Sequence, residues 1–167
     1  MIYDFQQNSA YGVRRLNPET DWEIFRDHLS RTYGENNYSW VLETQDFNDP
    51  EMWQREMQRS FQFGLFFGDD LVGSTELYYT KEGDVVFTGS VIEQAHRGKL
   101  LADNLYDARK SFLREAGFDG TIRMEILDTN ERSLNAADRN GFIAKDEIIL
   151  DWAEAPKRYV VLEYVCY

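Results

Sequence analysis

The spacing of apolar residues predicts helices in the first third of the chain. Trp22, Phe25 and Leu29 recur at helical intervals, which indicates an amphipathic first helix that begins near Thr20 or Asp21. Asp49-Pro50 is typical of the start of a second helix, whose pattern runs to about Ser60. His28 is expected on the solvent side of the first helix.

Short apolar runs that end at turn residues predict extended strands in much of the remaining chain. Gly68-Asp69-Asp70 and Lys81-Glu82-Gly83-Asp84 have the composition of hairpin turns, so three consecutive strands form a meander. The predicted strands cover residues 13–16, 63–67, 71–79, 85–92, 121–127, 142–152 and 158–167.

Two further helices separate the later strands. One is amphipathic from about Gly98 to Ala116 and is followed by Gly117, and the other covers Asn130 to Asn140 with Gly141 after its end. The alternation predicts a mixed α/β fold around one sheet. We expect residues 1–167 to form a single domain, since 167 residues with 43% hydrophobic content can build one core.

Composition and charge restrict the classes of partner. A net charge of −12 excludes the nucleic-acid backbone as a general partner and favours amines, polyamines or basic peptides, although an acidic surface can also serve solubility alone. No apolar run could span a membrane, and no signal peptide is predicted. The single Cys166 cannot form an internal disulfide, so we expect a packed thiol and a cytoplasmic protein.

A short basic turn between a strand and a helix carries the strongest chemical signal. Arg97-Gly98-Lys99 precedes the third helix, whose first backbone N–H groups have no intrahelical partners. Such a helix start, with a glycine and cations beside it, can hold phosphate. A plain strand-to-helix connection with surface cations is the alternative.

Three segments resemble the GNAT family of acetyl-coenzyme-A-dependent N-acetyltransferases, most closely its ribosomal-protein N-terminal acetyltransferase-like branch. They are Gln94-Ala-His-Arg-Gly-Lys-Leu-Leu-Ala102, Ile122-Arg-Met-Glu-Ile-Leu-Asp-Thr-Asn130 and Asn130-Glu-Arg-Ser-Leu-Asn-Ala-Ala-Asp-Arg-Asn-Gly-Phe142. The resemblance implies the acyl-CoA N-acyltransferase fold, with a central, mostly antiparallel sheet of about seven strands flanked by four helices. It also implies acetyl-CoA as cosubstrate and no metal.

The resemblance assigns cofactor contacts to three segments of the chain. They are Gly89, Ser90, Val91 and Ile92 for the thioester and pantetheine, Arg97, Gly98, Lys99, Leu100, Leu101 and Ala102 for the pyrophosphate, and Asn130 with Ser133. The chain departs from the family pattern at two positions in this part of the sequence. Ala95 replaces the family's Gln or Arg, and Leu100 occupies the position of its second small residue, where it would fill space near the diphosphate.

Acetyl transfer needs a base for the amine and a group that stabilises the leaving thiolate. Glu125 is the first candidate for the base, with Glu76 second and Asp151 or Glu154 third; Glu125 could also be an ordinary outward-facing strand residue. The family's usual Tyr acid is absent at Ala137, so Ser133 is the candidate acid unless it only caps its helix.

Aromatic residues beside carboxylates suit a cationic amine, although the same residues can also be ordinary core and solvated edge. The acceptor-side candidates are Tyr38, Trp40, Glu76, Tyr78, Trp152 and Glu154, and Trp53 belongs to the same predicted region. The expected acceptor is an amine-bearing small molecule or a peptide or protein N-terminus. The alternative is a GNAT-like domain that binds acetyl-CoA or a partner with weak catalysis. The final strands make a homodimer plausible.

Overall fold

The computed structural model describes residues 2–3, 10–35, 49–58, 60–152 and 155–167. The chain forms two compact units, one of Met1–Glu76 with Ser90–Ala108 and one of Leu77–Gly89 with Arg109–Tyr167. A single domain over residues 1–167 stays a prediction. No helix among the described residues is both long and apolar enough to cross a membrane.

The first unit places its strands in the order β1-β2-β3-β4, and the short strand β6 also pairs with β4. The antiparallel register of β2 and β3 sets Tyr11 opposite Phe67 and Val13 opposite Leu65. The elements are β1 (Ile2–Tyr3), β2 (Tyr11–Arg15), α1 (Trp22–Glu35), α2 (Pro50–Glu56), β3 (Ser60–Phe67), β4 (Asp70–Tyr79, of which 70–76 belong here) and β6 (Val91–Ile92).

The core of the first unit lies where α1 and α2 pack on the sheet. Trp53 stacks on Phe25 with 5.5 Å between ring centroids, and its indole N–H donates to Gln62 at 3.1 Å. Leu16 and Leu29 belong to the same buried cluster. Burial of each such side chain contributes roughly 1.5–3 kcal/mol. Trp53 is therefore a core residue, which is the alternative to acceptor contact for the aromatic residues of this region.

The second unit continues from the end of β4 in the order β4-β5-β7-β9-β8. β5 and β7 are parallel, whereas β7–β9 and β8–β9 are antiparallel. The elements are β5 (Val85–Phe87), β7 (Gly120–Leu127), α4 (Glu131–Arg139), β8 (Ile143–Trp152) and β9 (Ala155–Cys166), while α3 (Leu101–Glu115) begins in the first unit and ends in the second.

The fold is mixed α/β with a mostly antiparallel sheet, as the sequence predicts. The strand expected over residues 85–92 is divided, because β5 ends at Phe87 and β6 begins at Val91. Arg109, fully buried, donates from Nη1 to the Thr88 carbonyl at 3.0 Å and lies 4.0 Å from the centroid of the Phe87 ring. This side chain engages a carbonyl that a continuous strand would use in its ladder.

Two helix boundaries differ from the prediction. α3 begins at Leu101 rather than at Gly98, because Gly98 and Leu100 have φ of 77° and 57°, which a right-handed helix does not accommodate. α2 ends at Glu56, since Ser60 already belongs to β3.

Candidate active site

The basic turn of the first unit joins β6 to α3 through a short 3₁₀ helix, Gln94–His96. Leu101 is buried and fixes the start of α3, whereas Lys99 before it is exposed. A Cβ built on Gly98 would meet no atom within 4 Å, so open space surrounds its backbone. An exposed turn with cations, open space and a following helix start can hold a phosphate group.

Leu100 gives this turn an unusual backbone. It is the one described residue other than glycine with positive φ, and its carbonyl accepts the Asp103 N–H at 3.0 Å as α3 begins. Its side chain is 58% exposed. Leu100 therefore adopts a glycine-like conformation at the position where the family has a small residue.

Tyr11 on β2 ties the turn to the sheet. The Lys99 ammonium donates to the Tyr11 hydroxyl at 3.0 Å, and that hydroxyl lies 2.9 Å from His96 Nδ1. Because an ammonium group can only donate, the Tyr11 hydroxyl accepts from Lys99, and the same hydroxyl lies within hydrogen-bond distance of His96 Nδ1. Phe67 packs against both rings, at 5.0 Å from Tyr11 and 5.5 Å from His96 between centroids.

β6 forms the last two residues of the predicted cofactor strand. Val91 pairs with Ser74 and Ile92 with Gly73, both on β4. Ser90 donates from Oγ to Thr75 Oγ1 at 3.0 Å. In the described part of the chain β6 pairs with β4 alone, so the backbone groups of its other edge can bond a ligand.

Arg97 is also tied back to this strand. Its Nε donates to the Ile92 carbonyl at 2.7 Å, which links the basic turn to β6.

The second unit holds the remaining cofactor candidates. Two residue pairs join the described strands β5 and β7, namely Val85–Ile122 and Val86–Arg123. Strand β7 continues beyond these pairs to Leu127. Gly89 is exposed, and a Cβ there would meet nothing within 4 Å.

Asn130 and Ser133 lie together at the start of α4. Asn130 is the N-cap, and its side-chain oxygen accepts the Ser133 backbone N–H at 3.2 Å. A capping carboxamide keeps two N–H donors on its nitrogen, which can bond a second group. Ser133 is half-buried, and Ala137 on the same helix is fully buried. A side chain at position 137 therefore belongs to the core.

Glu125 lies on the solvent side of β7, between the buried Met124 and Ile126. Its Oε1 accepts from Arg123 Nη2 at 3.0 Å, and its side chain is 35% exposed. The register places Val161 of β9 opposite Glu125. The Glu125 carboxylate is accessible to solvent, and its role as base stays a prediction.

The acceptor-side candidates are only partly covered by the structure. Glu76 is half-buried and Tyr78 is 37% exposed, both on β4. The backbones of Asp151 and Trp152 belong to strand β8. Tyr38, Trp40 and Glu154 lie outside the described residues.

The structure thus brings together the turn residues and β6 in the first unit, and Asn130 with Ser133 in the second. Cys166 is buried, as expected. Among the described residues, no group of His, Cys, Asp and Glu could hold a metal ion.

A buried polar cluster was not predicted. His28 is fully buried rather than exposed, so the expectation of a surface residue is wrong. Its Nδ1 lies 3.1 Å from Glu93 Oε1 and its Nε2 lies 3.2 Å from Ser74 Oγ. The helical spacing from Phe25 through His28 to Leu29 and Thr32 could have identified this buried face.

Comparison with known proteins identifies the class. The model of the acetyltransferase (GNAT) family matches residues 22–142, and the chain belongs to this family. No curated protein matches the chain in sequence.

Solved structures share the fold at low identity. The ribosomal-protein-S5-alanine acetyltransferase from Vibrio fischeri has a TM-score of 0.77 at 16% identity, covering 99% of this chain and 97% of its own. Spermidine N-acetyltransferase from Vibrio cholerae has a TM-score of 0.70 at 14% identity, with 95% of both chains covered. The Salmonella typhimurium protein yncA, solved with its cofactor acetyl-CoA, has a TM-score of 0.70 at 15% identity over 95% of both chains.

Proposed function

We propose that this protein is an N-acetyltransferase that moves the acetyl group of acetyl-CoA directly to a primary amine on a cationic acceptor. Membership of the GNAT family supports the reaction class. The structural relative solved with acetyl-CoA supports the cosubstrate.

The observation that carries the proposal is the exposed turn from Arg97 to Leu100 at the start of α3. Gly98 leaves open space for a close approach, and Arg97 and Lys99 supply positive charge in a chain of net charge −12. The coenzyme A diphosphate would bind to the backbone N–H groups and these cations. The pantetheine arm would then follow β6, whose outer edge offers backbone groups.

The transfer step follows from ordinary acyl chemistry. The neutral amine nitrogen attacks the thioester carbonyl carbon, a C–N bond forms and the C–S bond breaks. Glu125 takes the proton that the amine loses, and the Ser133 hydroxyl donates a hydrogen bond or, through water, a proton to the leaving thiolate. The products are the N-acetylated acceptor and free coenzyme A. The resemblance assigns the backbone N–H that polarises the carbonyl to the segment 89–92.

The acidic character of the chain supports a cationic acceptor, either a polyamine-like molecule or a peptide or protein N-terminus. Two structural relatives are named for acceptors of these kinds, ribosomal-protein alanine and spermidine. Glu76 and Tyr78 on β4 supply a carboxylate and an accessible aromatic ring for such a group.

A weakly catalytic domain that binds acetyl-CoA is the second candidate. The left-handed Leu100 in the phosphate turn and the buried Ala137, which replaces the family's usual Tyr, favour it. Both candidates predict that the protein binds acetyl-CoA, but only the first predicts efficient turnover.

Two predictions on context accompany the proposal. We propose a cytoplasmic location, consistent with the buried single thiol of Cys166. A homodimer is consistent with Ile143 and Ile149, which expose 62% and 69% of their surface on strand β8.

A thiol-release assay with acetyl-CoA and a set of acceptors tests the function. The set comprises spermidine, an alanine-terminated basic peptide, an aminoglycoside and neutral or acidic amines. We expect turnover with cationic amines. Turnover confined to neutral or acidic acceptors would overturn the acceptor class, and coenzyme binding without any turnover would establish the second candidate.

A further inference from the structure

A cluster of polar side chains holds Glu93, the residue directly after β6 and directly before the 3₁₀ turn. Its Oε1 lies 3.1 Å from His28 Nδ1 and accepts from Arg31 Nε at 3.0 Å. Both donors come from α1, and the Glu93 side chain is only 14% exposed. A carboxylate in this position needs compensation, because a charge removed from water is costly.

The protonation of His28 follows from its neighbours. Thr32 Oγ1 donates to the His28 carbonyl at 2.8 Å, so the hydroxyl proton of Thr32 points away from the His28 ring. A carboxylate accepts, so His28 Nδ1 carries the proton and donates to Glu93. Nε2 lies 3.2 Å from Ser74 Oγ, which holds the ring from its other side.

Glu93 connects two parts of the proposed coenzyme A site. Its backbone N–H donates to the Val72 carbonyl at 2.9 Å, which continues the pairing of β6 with β4. Its own carbonyl accepts the His96 N–H at 2.9 Å, which starts the 3₁₀ turn that leads to Gly98. Ser74, held by His28, is paired with Val91 of β6. The position of Glu93 therefore affects both the strand and the phosphate turn.

We propose that Glu93 is a positioning residue for the coenzyme A turn, that His28 and Arg31 hold its carboxylate, and that Arg31 neutralises the charge. The inference rests on the proposed function. An uncompensated negative charge at the entrance of the turn would repel the diphosphate, and an unheld Glu93 would loosen the strand and the turn together. Arg31 also donates from Nη2 to the Leu71 carbonyl at 3.1 Å, which fixes the guanidinium on the sheet.

Arg31→Gln is the main test, because the Arg31 side chain is 50% exposed and its loss leaves the core intact. Arg26→Gln is the matched control, since Arg26 lies on the same helix, is 41% exposed and pairs with its neighbour Asp27. Calorimetric titration with coenzyme A measures the dissociation constant. We expect Arg31→Gln to raise it about fivefold and Arg26→Gln to keep it within about twofold of the wild type.

A double variant separates neutralisation from simple packing. Arg31→Gln combined with Glu93→Gln removes the cation and its partner charge together, and a Gln at position 93 still accepts hydrogen bonds. We expect its dissociation constant to return to within about twofold of the wild type. His28→Asn, which can still donate near Nδ1, should bind coenzyme A more tightly than His28→Gln.

The outcomes distinguish the two proposals. A wild type that binds no coenzyme A would overturn the proposed function itself. If the wild type binds and Arg31→Gln behaves as Arg26→Gln does, the role of Arg31 and Glu93 is overturned while the proposed function stands. If Arg31→Gln binds weakly and Glu93→Gln does not rescue it, neutralisation is overturned.

Discussion

The hydroxyl of Tyr11 lies 2.9 Å from Nδ1 of His96, which joins the first long strand to the turn before α3. The Lys99 ammonium donates to the same oxygen at 3.0 Å. One buried hydroxyl thus fixes two residues of the turn that we propose for coenzyme A.

Tyr11→Phe removes both hydrogen bonds and keeps the aromatic ring beside Phe67. Because the turn then loses its attachment to β2, we expect the dissociation constant of coenzyme A to rise about fivefold, measured by calorimetry. Tyr79→Phe on β4 is the control and should not change it. An unchanged affinity in Tyr11→Phe would show that the attachment has no effect on binding.

Leu100→Gly removes a Cβ from a left-handed position. The relief of about 1–2 kcal/mol in the folded state is partly cancelled by the greater freedom of glycine in the unfolded chain, so we expect a net gain in the free energy of unfolding of about 0.5–1 kcal/mol. Urea denaturation measures it. Coenzyme A should also bind more tightly, because the backbone is less obstructed.

Leu100→Ala is the matched control, because it shortens the side chain and keeps the Cβ. It should gain no stability. If both variants are stabilised equally, the exposed side chain and not the backbone conformation is the cause.

Asn130→Asp and Asn130→Ala separate capping from cofactor contact. Asp caps as well as Asn, so Asn130→Asp should keep its stability, while Asn130→Ala should lose about 1 kcal/mol. Asp has no N–H donor, so we expect the KM for acetyl-CoA to rise about fivefold in Asn130→Asp. Asn135→Asp, an exposed change of equal charge on α4, should leave KM unchanged. An unchanged KM in Asn130→Asp would show that Asn130 caps the helix and does not contact the cofactor.

Glu125→Gln and Ser133→Ala test the proposed base and acid. Each should lower kcat/KM at least about tenfold in the thiol-release assay, and Glu125→Gln, which is not a predicted cofactor contact, should change coenzyme A affinity little. Glu147→Gln is the control, since Glu147 is an exposed carboxylate of β8 with an arginine partner, Arg158. Normal rates in both variants would contradict these two roles.

The stability of the first unit should depend on pH through Asp21. Burial would raise the pKa of Asp21, but its hydrogen bonds from Arg14 and from the Asn17 N–H, with the Arg14 charge, hold the pKa below its ordinary value of 3.8. A depressed pKa in the folded state contributes stability above the unfolded value, and this stability is lost as pH falls through the folded value.

Asp21→Asn should therefore cost about 1.5–3 kcal/mol in the free energy of unfolding at pH 7. The difference from the wild type should shrink as pH falls below about 3.8. Urea denaturation of both proteins from pH 7 to pH 3 measures this. A difference that is constant over the whole range would contradict the assigned role of the charge.

Local patterns predicted most of the fold. Alternation of buried and exposed residues along β7 and the spacing of Trp22, Phe25 and Leu29 on α1 each report a local periodicity. Two-residue strands such as β1 have no such period and were missed. At the break between β5 and β6 the buried Arg109 donates to the Thr88 carbonyl, a contact that the local pattern does not contain.

The candidate site was predicted only where its chemistry is contiguous in sequence. The turn from Arg97 to Leu100 could be predicted as a phosphate site because its glycine and its cations are adjacent in the sequence. The contacts that hold it are distant in the chain, since Tyr11 lies 85 positions before His96, and His28 lies 65 positions before Glu93. Such pairs follow from tertiary packing, and residue spacing alone does not reveal them.

Calorimetric titration of the wild-type protein with coenzyme A and acetyl-CoA tests the central claim most directly. The account predicts saturable heat for one site per chain, and weaker binding when Lys99→Glu reverses a charge in the turn. The absence of heat with either ligand at millimolar concentration would contradict the claim that this chain uses acetyl-CoA.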